Sequence, residues 1–178
     1  LAAASLCTLL DELAAALAAL HLRADLGSTE AAAAASLTVF SLGALAGAAL
    51  TDALVARFSW RTLLGISGVA AALAIGGFLV SSSAITATIA LGVLGAAVAP
   101  HYPLTKARAY EAAPGRPGLV NALAQVFVVV DVGAPLLLGW IADARGLSVA
   151  FACLLLQPVA LAALALIARE RPRDPASG

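Results

Sequence analysis

No methionine occurs among the 178 residues, which begin at Leu1. The chain thus carries no initiator residue and is expected to be a piece of a longer protein. Charge is scarce as well: 11% of residues are charged and 62% are hydrophobic, where soluble domains carry about 25% charged residues. That balance excludes a water-soluble globule and predicts an integral membrane protein set in a lipid bilayer. The ten basic and ten acidic residues cancel, and the basic ones are too dispersed to track phosphates, which excludes nucleic acid as a partner. Cysteine is limited to Cys7 and Cys153, each inside an apolar run with no second Cys or His at ligand spacing. Neither a disulfide framework nor a metal site is expected, no cofactor is implied, and both thiols read as small core residues.

What fills the chain is one apolar run after another. A helix needs ~20 apolar residues to cross ~30 Å of hydrocarbon. Six segments reach that length: residues 1–20, 31–50, 62–80, 85–104, 119–141 and 147–168, with 169–178 left as a charged tail. The runs are continuous and rich in Ala and Leu, which favours helices over the ~10-residue alternating strands of an outer-membrane barrel. Gly27-Ser28-Thr29-Glu30 supplies a helix start, Ser81-Ser82-Ser83 a turn, and Ala113-Pro114-Gly115-Arg116-Pro117-Gly118 a break between the fourth and fifth runs. Gly43-x-x-x-Gly47 and Gly92-x-x-Gly95 predict close backbone packing, or a hinge built on those glycines. Pro100, Pro103, Pro135 and Pro158 are expected to kink or end their helices.

Orientation follows from Lys and Arg counted loop by loop. Arg57, Arg61, Lys106, Arg108, Arg116, Arg169, Arg171 and Arg173 fall on one side, and only Arg23 and Arg145 on the other. Eight against two predicts that the second and fourth connections and both termini are cytoplasmic, in a cell (inner) membrane. Trp60 and Trp140 fall at opposite interfaces, as amphipathic aromatic anchors should.

A charge at mid-depth costs at least ~2.5 kcal/mol, so an intramembrane ionisable group marks a candidate site. Asp11 and Glu12 in the first run and Asp131 in the fifth qualify. Neighbours on a helix diverge by ~100°, so Asp11 and Glu12 cannot point the same way. One is expected on a pathway and the other against a neighbouring helix. Asp131 reads as a proton or substrate carboxylate, or as a structural hydrogen-bond partner. Asn121 and Gln125, four residues apart, share a face of the fifth run, either on the pathway or bonded across the bundle. His101 and Tyr102 flank Pro100 and Pro103 at the cytoplasmic end of the fourth run, where His101 reads as a titrating or a merely structural interfacial group. Gly65-Ile66-Ser67-Gly68 matches the serine motif of rhomboid proteases, but no histidine lies in the sixth run to serve as base, so no enzyme is expected.

The second connection carries a resemblance. Gly47-Ala48-Ala49-Leu50-Thr51-Asp52 followed by Arg57-Phe58-Ser59-Trp60-Arg61 resembles the cytoplasmic loop signature of the major facilitator superfamily, in which a helix-ending Gly and Asp precede basic residues. Ala53 and Ser59 depart from that pattern. The resemblance implies a cytoplasmic gating loop, with Asp52 in the acidic role and Arg57 and Arg61 in the basic ones. Gly115-Arg116-Pro117-Gly118, the stretch Gly133-Ala134-Pro135 to Asp143 and the Arg-rich tail are similar to the last third of such a carrier. Gly133-Ala134-Pro135 lacks the adjacent Gly-Pro of the drug antiporter signature.

The resulting expectation is an all-α membrane protein of six transmembrane helices, the C-terminal half of a twelve-helix carrier whose N-terminal six-helix half is missing. It would move a small solute by alternating access, with Asp11 or Glu12, Asn121, Gln125 and Asp131 along the solute or proton pathway. Two rivals differ in class or assembly: a structural membrane protein used as a docking surface, and a six-helix unit acting as a homodimer.

Overall fold

A computed structural model describes residues 2–167, and side chains from residue 11 onward except those of residues 128 and 131. Within that range every regular element is an α-helix: α1 (Ala2–Ala24), α2 (Glu30–Val55), α3 (Trp60–Leu79), α4 (Ala84–Val98), α5 (His101–Ala112), α6 (Pro117–Gln125), α7 (Val128–Arg145), α8 (Leu147–Cys153) and α9 (Leu156–Ile167). Among the described residues, four lengths are long and apolar enough to cross a membrane: Glu30–Val55, Trp60–Leu79, Ala84–Ala112 and Leu147–Ile167. The chain is a membrane protein built of helices.

Local chemistry sets the starts. Thr29 Oγ1 accepts from the Ala32 amide, Ser59 Oγ from Thr62 and Ser83 Oγ from Thr86, each at 3.2 Å, so the first turns of α2, α3 and α4 lose an orphan donor. Gly146, at φ 95°, supplies the backbone that no β-carbon tolerates and turns α7 into α8.

Three of the expected runs are interrupted within their length. Pro158 has no N–H for the Leu154 carbonyl, and the run breaks at Leu154–Leu155 between α8 and α9, where the bonds shorten to i→i+3 (Leu154 N to Phe151 O, 3.0 Å). Pro100 and Pro103 likewise open the turn between α4 and α5, which continues the same length instead of ending it. The fifth run, expected whole over 119–141, is split into α6 and α7 at Val126–Phe127. No proline lies there. Val126, Val129 and Val130 crowd the preceding turn with β-branched carbons, and the helix tightens around Phe127 (Val130 N to Phe127 O, 2.8 Å).

Packing is closest between α2 and α4. A methyl built on Gly43 would run into the Gly92 carbonyl oxygen and stand 2.9 Å from its carbon. One on Gly47 would stand 2.7 Å from Ala96 Cα, and one on Gly95 3.0 Å from the Phe40 carbonyl carbon. The two backbones therefore touch along both glycine pairs, as small residues permit where lipid gives no hydrophobic drive. Pro100 leaves the Ala96 carbonyl without its helical donor, and Gly47 packs on that oxygen.

α1 lies at the centre, touching α2, α4, α5, α7, α8 and α9. Its Ala14, Leu17, Ala18 and Leu22 join Ala71, Ile75 and Phe78 of α3, Leu91 and Leu94 of α4 and Phe151 of α8 in the main core. Phe78 stacks on Phe151 at 4.3 Å and on His21 at 5.2 Å. A smaller cluster of Leu63, Leu64, Leu104, Leu161 and Ala165 closes the opposite end. Outward faces are apolar, with Leu45, Leu73 and Leu136 about 70% exposed, a surface that suits lipid and not water. Cys153, expected in the core, is on this outer face.

Candidate functional site

The two acidic neighbours of α1 diverge as their ~100° separation requires. Asp11 turns inward: its carboxyl is partly buried, and Oδ1 is fully enclosed without a hydrogen-bond partner. Glu12 points out of the bundle and is exposed. Asp131 belongs to the first turn of α7, and its side chain lies outside the described residues.

Asn121 and Gln125 share the outer face of α6 and are both exposed. Asn121 Oδ1 accepts a hydrogen bond from the Tyr110 hydroxyl at 2.8 Å, tying α6 to the end of α5. Gln125 remains open. These amides therefore do not bridge helices in the interior of the bundle. They stand on its surface beside Leu119, Leu123 and Val126.

The loop residues separate. Asp52 and Arg57 are exposed and make no ion pair among the described residues. Arg61 does something else: Nε donates to Ala165 O at 2.8 Å and Nη2 to Leu166 O at 3.0 Å. A guanidinium on the last carbonyls of α9 satisfies orphan acceptors and meets the negative end of the helix dipole. Next to it Arg108 lies 4.7 Å above the Trp60 ring and pairs with Glu111, while Lys106 reaches the Tyr102 hydroxyl. The charged tail, 169–178, lies outside the described residues.

Sequence reasoning placed His101 at an interface. In the structure it is 1% exposed, packed between α1 and α3, because α5 carries the chain onward past Pro100. Its ring lies against the backbone of Ser67, within reach of a hydrogen bond that falls short of ideal geometry. Ser67 spends its hydroxyl on the Leu64 carbonyl at 3.2 Å, so serine and histidine are neighbours without a nucleophile–base bond. Gln157, at the α8–α9 break, is a residue that sequence reasoning missed altogether: both polar atoms of its amide are enclosed and unpartnered. A glutamine one position before a proline in an apolar run was the available signal. No group of three or more metal-ligating side chains is found among the described residues.

No protein-family model matches this chain, and no curated protein matches it.

Proposed function

We propose that the chain is a six-helix half of a secondary active transporter of the major facilitator type, which moves a small solute by alternating access in the cell membrane, with both termini cytoplasmic. One observation carries the reading: Glu12 sits at mid-length of the central helix and points out of the bundle. A carboxylate facing hydrocarbon at that depth costs at least ~2.5 kcal/mol, so the face it occupies meets water or another protein surface. Exposed Asn121 and Gln125 on α6, and Asp131 in the next helix, add polar groups at depth, as a solute pathway between two halves needs. The three mid-span breaks supply the interrupted helices that such pathways are commonly built from. Exposed Asp52 and Arg57 remain available to a partner half, whereas Arg61 is committed to α9.

The test is aqueous access. With Cys7 and Cys153 replaced by serine, Glu12→Cys in the full-length carrier should react with a membrane-impermeant cationic thiosulfonate, and an exposed apolar position such as Leu45→Cys should not. A structural docking protein would bury Glu12 against its partner and leave Glu12→Cys unlabelled, which overturns the transporter reading.

A further inference from the structure

The outer face of α3 carries a groove along its seam with α9. Thr62, Gly65, Ile66, Val69 and Leu73 line it, three or four positions apart, so it follows one side of the helix. Its floor is low because the seam is made of small residues: a methyl built on Gly65 would stand 3.6 Å from Ala165 Cβ, and one on Gly68 3.2 Å from Ala162 Cβ. Ile66, Val69 and Leu73 rise beside it, each more than half exposed. From Gly65 to Leu73 the groove runs about 12 Å at the helical rise, within the ~15 Å of hydrocarbon in one leaflet.

Its character changes at one end. Toward Leu73 the lining is wholly apolar, whereas toward the start of α3 the groove opens between Arg61, Ser59 and Thr62 on one side and Ala165 and Leu166 of α9 on the other. Nε and Nη2 of Arg61 each give one N–H to α9. A guanidinium has five N–H groups, so three are left without an acceptor among the described residues. Ser59 and Thr62 share a single hydroxyl bond at 3.0 Å, and Ser59 Oγ also accepts from the Thr62 amide. One hydroxyl hydrogen of the pair is therefore left to donate outward.

Charge decides what that end accepts. The start of α3 lies beside the last described turn of α9, so a positive and a negative helix terminus, each about half a charge, offset one another. The whole charge of Arg61 is left, and no acidic residue lines the groove among the described residues. Donors and a positive charge at one end of a bare apolar track match the two parts of a single anionic phospholipid.

We propose that this groove seats one anionic phospholipid, its phosphate on the Arg61 guanidinium and the Ser59 and Thr62 hydroxyl pair, and one acyl chain along Gly65, Ile66, Val69 and Leu73. With the orientation proposed above, the lipid belongs to the cytoplasmic leaflet, whose anionic headgroups attract basic residues. The seat rests on the chain being a membrane protein and not on its moving a solute.

Native mass spectrometry of the full chain in detergent, given equal amounts of palmitoyl-oleoyl phosphatidylglycerol and phosphatidylcholine, tests it. A single phosphatidylglycerol should stay bound, preferred about fivefold over phosphatidylcholine. Arg61→Gln should bring that preference to within about twofold of parity. Gly65→Leu, which fills the groove, should lower retention of both lipids by about fivefold or more. Arg57→Gln, on the same connection but outside the groove, should change either by less than about twofold. Equal retention of the two lipids overturns the proposal, as does a ladder of several phosphatidylglycerols with no dominant single adduct. A preference that Arg61→Gln leaves intact, or that Arg57→Gln removes as fully, also overturns it. A chain that stays free of lipid or dimerises instead would show the groove taken by another segment or a second copy, and displacement of the lipid by excess inorganic phosphate would show a site for free anions; both outcomes sink the lipid seat. Circular dichroism checks the fold of each variant, and should one fail to fold, the parent's preference and the remaining variant decide.

Discussion

Gly43→Ala puts one methyl where α4 already stands. The added carbon would meet the Gly92 carbonyl, 2.9 Å from its carbon and 3.2 Å from Cα, whereas carbons pack best at about 3.5–4.0 Å. The atoms it meets are backbone, so no side chain can swing aside, and α2 must lift from α4 by roughly 0.6 Å or more. α4 is the chief partner of α2, so packing surrendered at that seam finds no substitute on α1 or α3. Overpacking of this kind costs about 1–3 kcal/mol. For a chain of this length each kcal/mol moves the midpoint by about 2–4 °C, which gives a fall of roughly 2–12 °C. Gly76→Ala is the matched control: it meets nothing within 4 Å and gains up to ~1 kcal/mol of helix propensity. Thermal unfolding of the purified chain in detergent, followed by tryptophan fluorescence, should therefore separate the two variants, with Gly43→Ala lowered and Gly76→Ala unchanged or raised. Equal midpoints for the two would refute the backbone contact.

Single-cysteine labelling of intact cells should leave Arg57→Cys protected and make Ser82→Cys accessible, as the eight-to-two split of basic residues requires; labelling of Arg57→Cys from outside would reverse the orientation. Arg61→Gln removes the guanidinium from Ala165 O and Leu166 O, a partly exposed pair of bonds worth about 1 kcal/mol. Hydrogen exchange at the last turn of α9 should then quicken about fivefold, and unchanged exchange would show that the cap does not hold that turn.

The sequence made some of this legible because the cause was local. Thr29 and Ser83 stand where a side-chain oxygen can reach an amide three residues on, and each heads a helix; Ser59, read only as a departure from the loop pattern, does the same for α3. Pro158 interrupts its run four residues upstream, at the carbonyl that loses its donor. The split at Val126–Phe127 was hidden because hydropathy counts valine as fully as leucine and is blind to crowding at the β-carbon. Facing was hidden for another reason. α4 is apolar on every side, and such a helix has no stripe to show which side is inward. His101 could thus be given a depth from the sequence but not a direction. Arg61 illustrates the same limit: its partners lie more than a hundred residues away, so a count of basic residues could assign it a side of the membrane and no more.

In lipid the usual meaning of exposure inverts. An outward leucine such as Leu45 or Leu73 requires no explanation, because hydrocarbon accepts it as readily as a protein core does. An outward carboxylate does require one, and so does an inward carboxyl without a bond. Glu12 and Asp11 are adjacent in sequence, share one helix and fall on opposite sides of this distinction. Glu12 calls for a wet or proteinaceous neighbour beyond the six runs, whereas Asp11 calls for a partner within them. Because the helix fixes the angle between the two, a rotation of α1 that carried Glu12 away from its outer face would also turn the Asp11 carboxyl out of its enclosed position. The two carboxylates of the central helix therefore cannot change their surroundings independently while α1 stays helical.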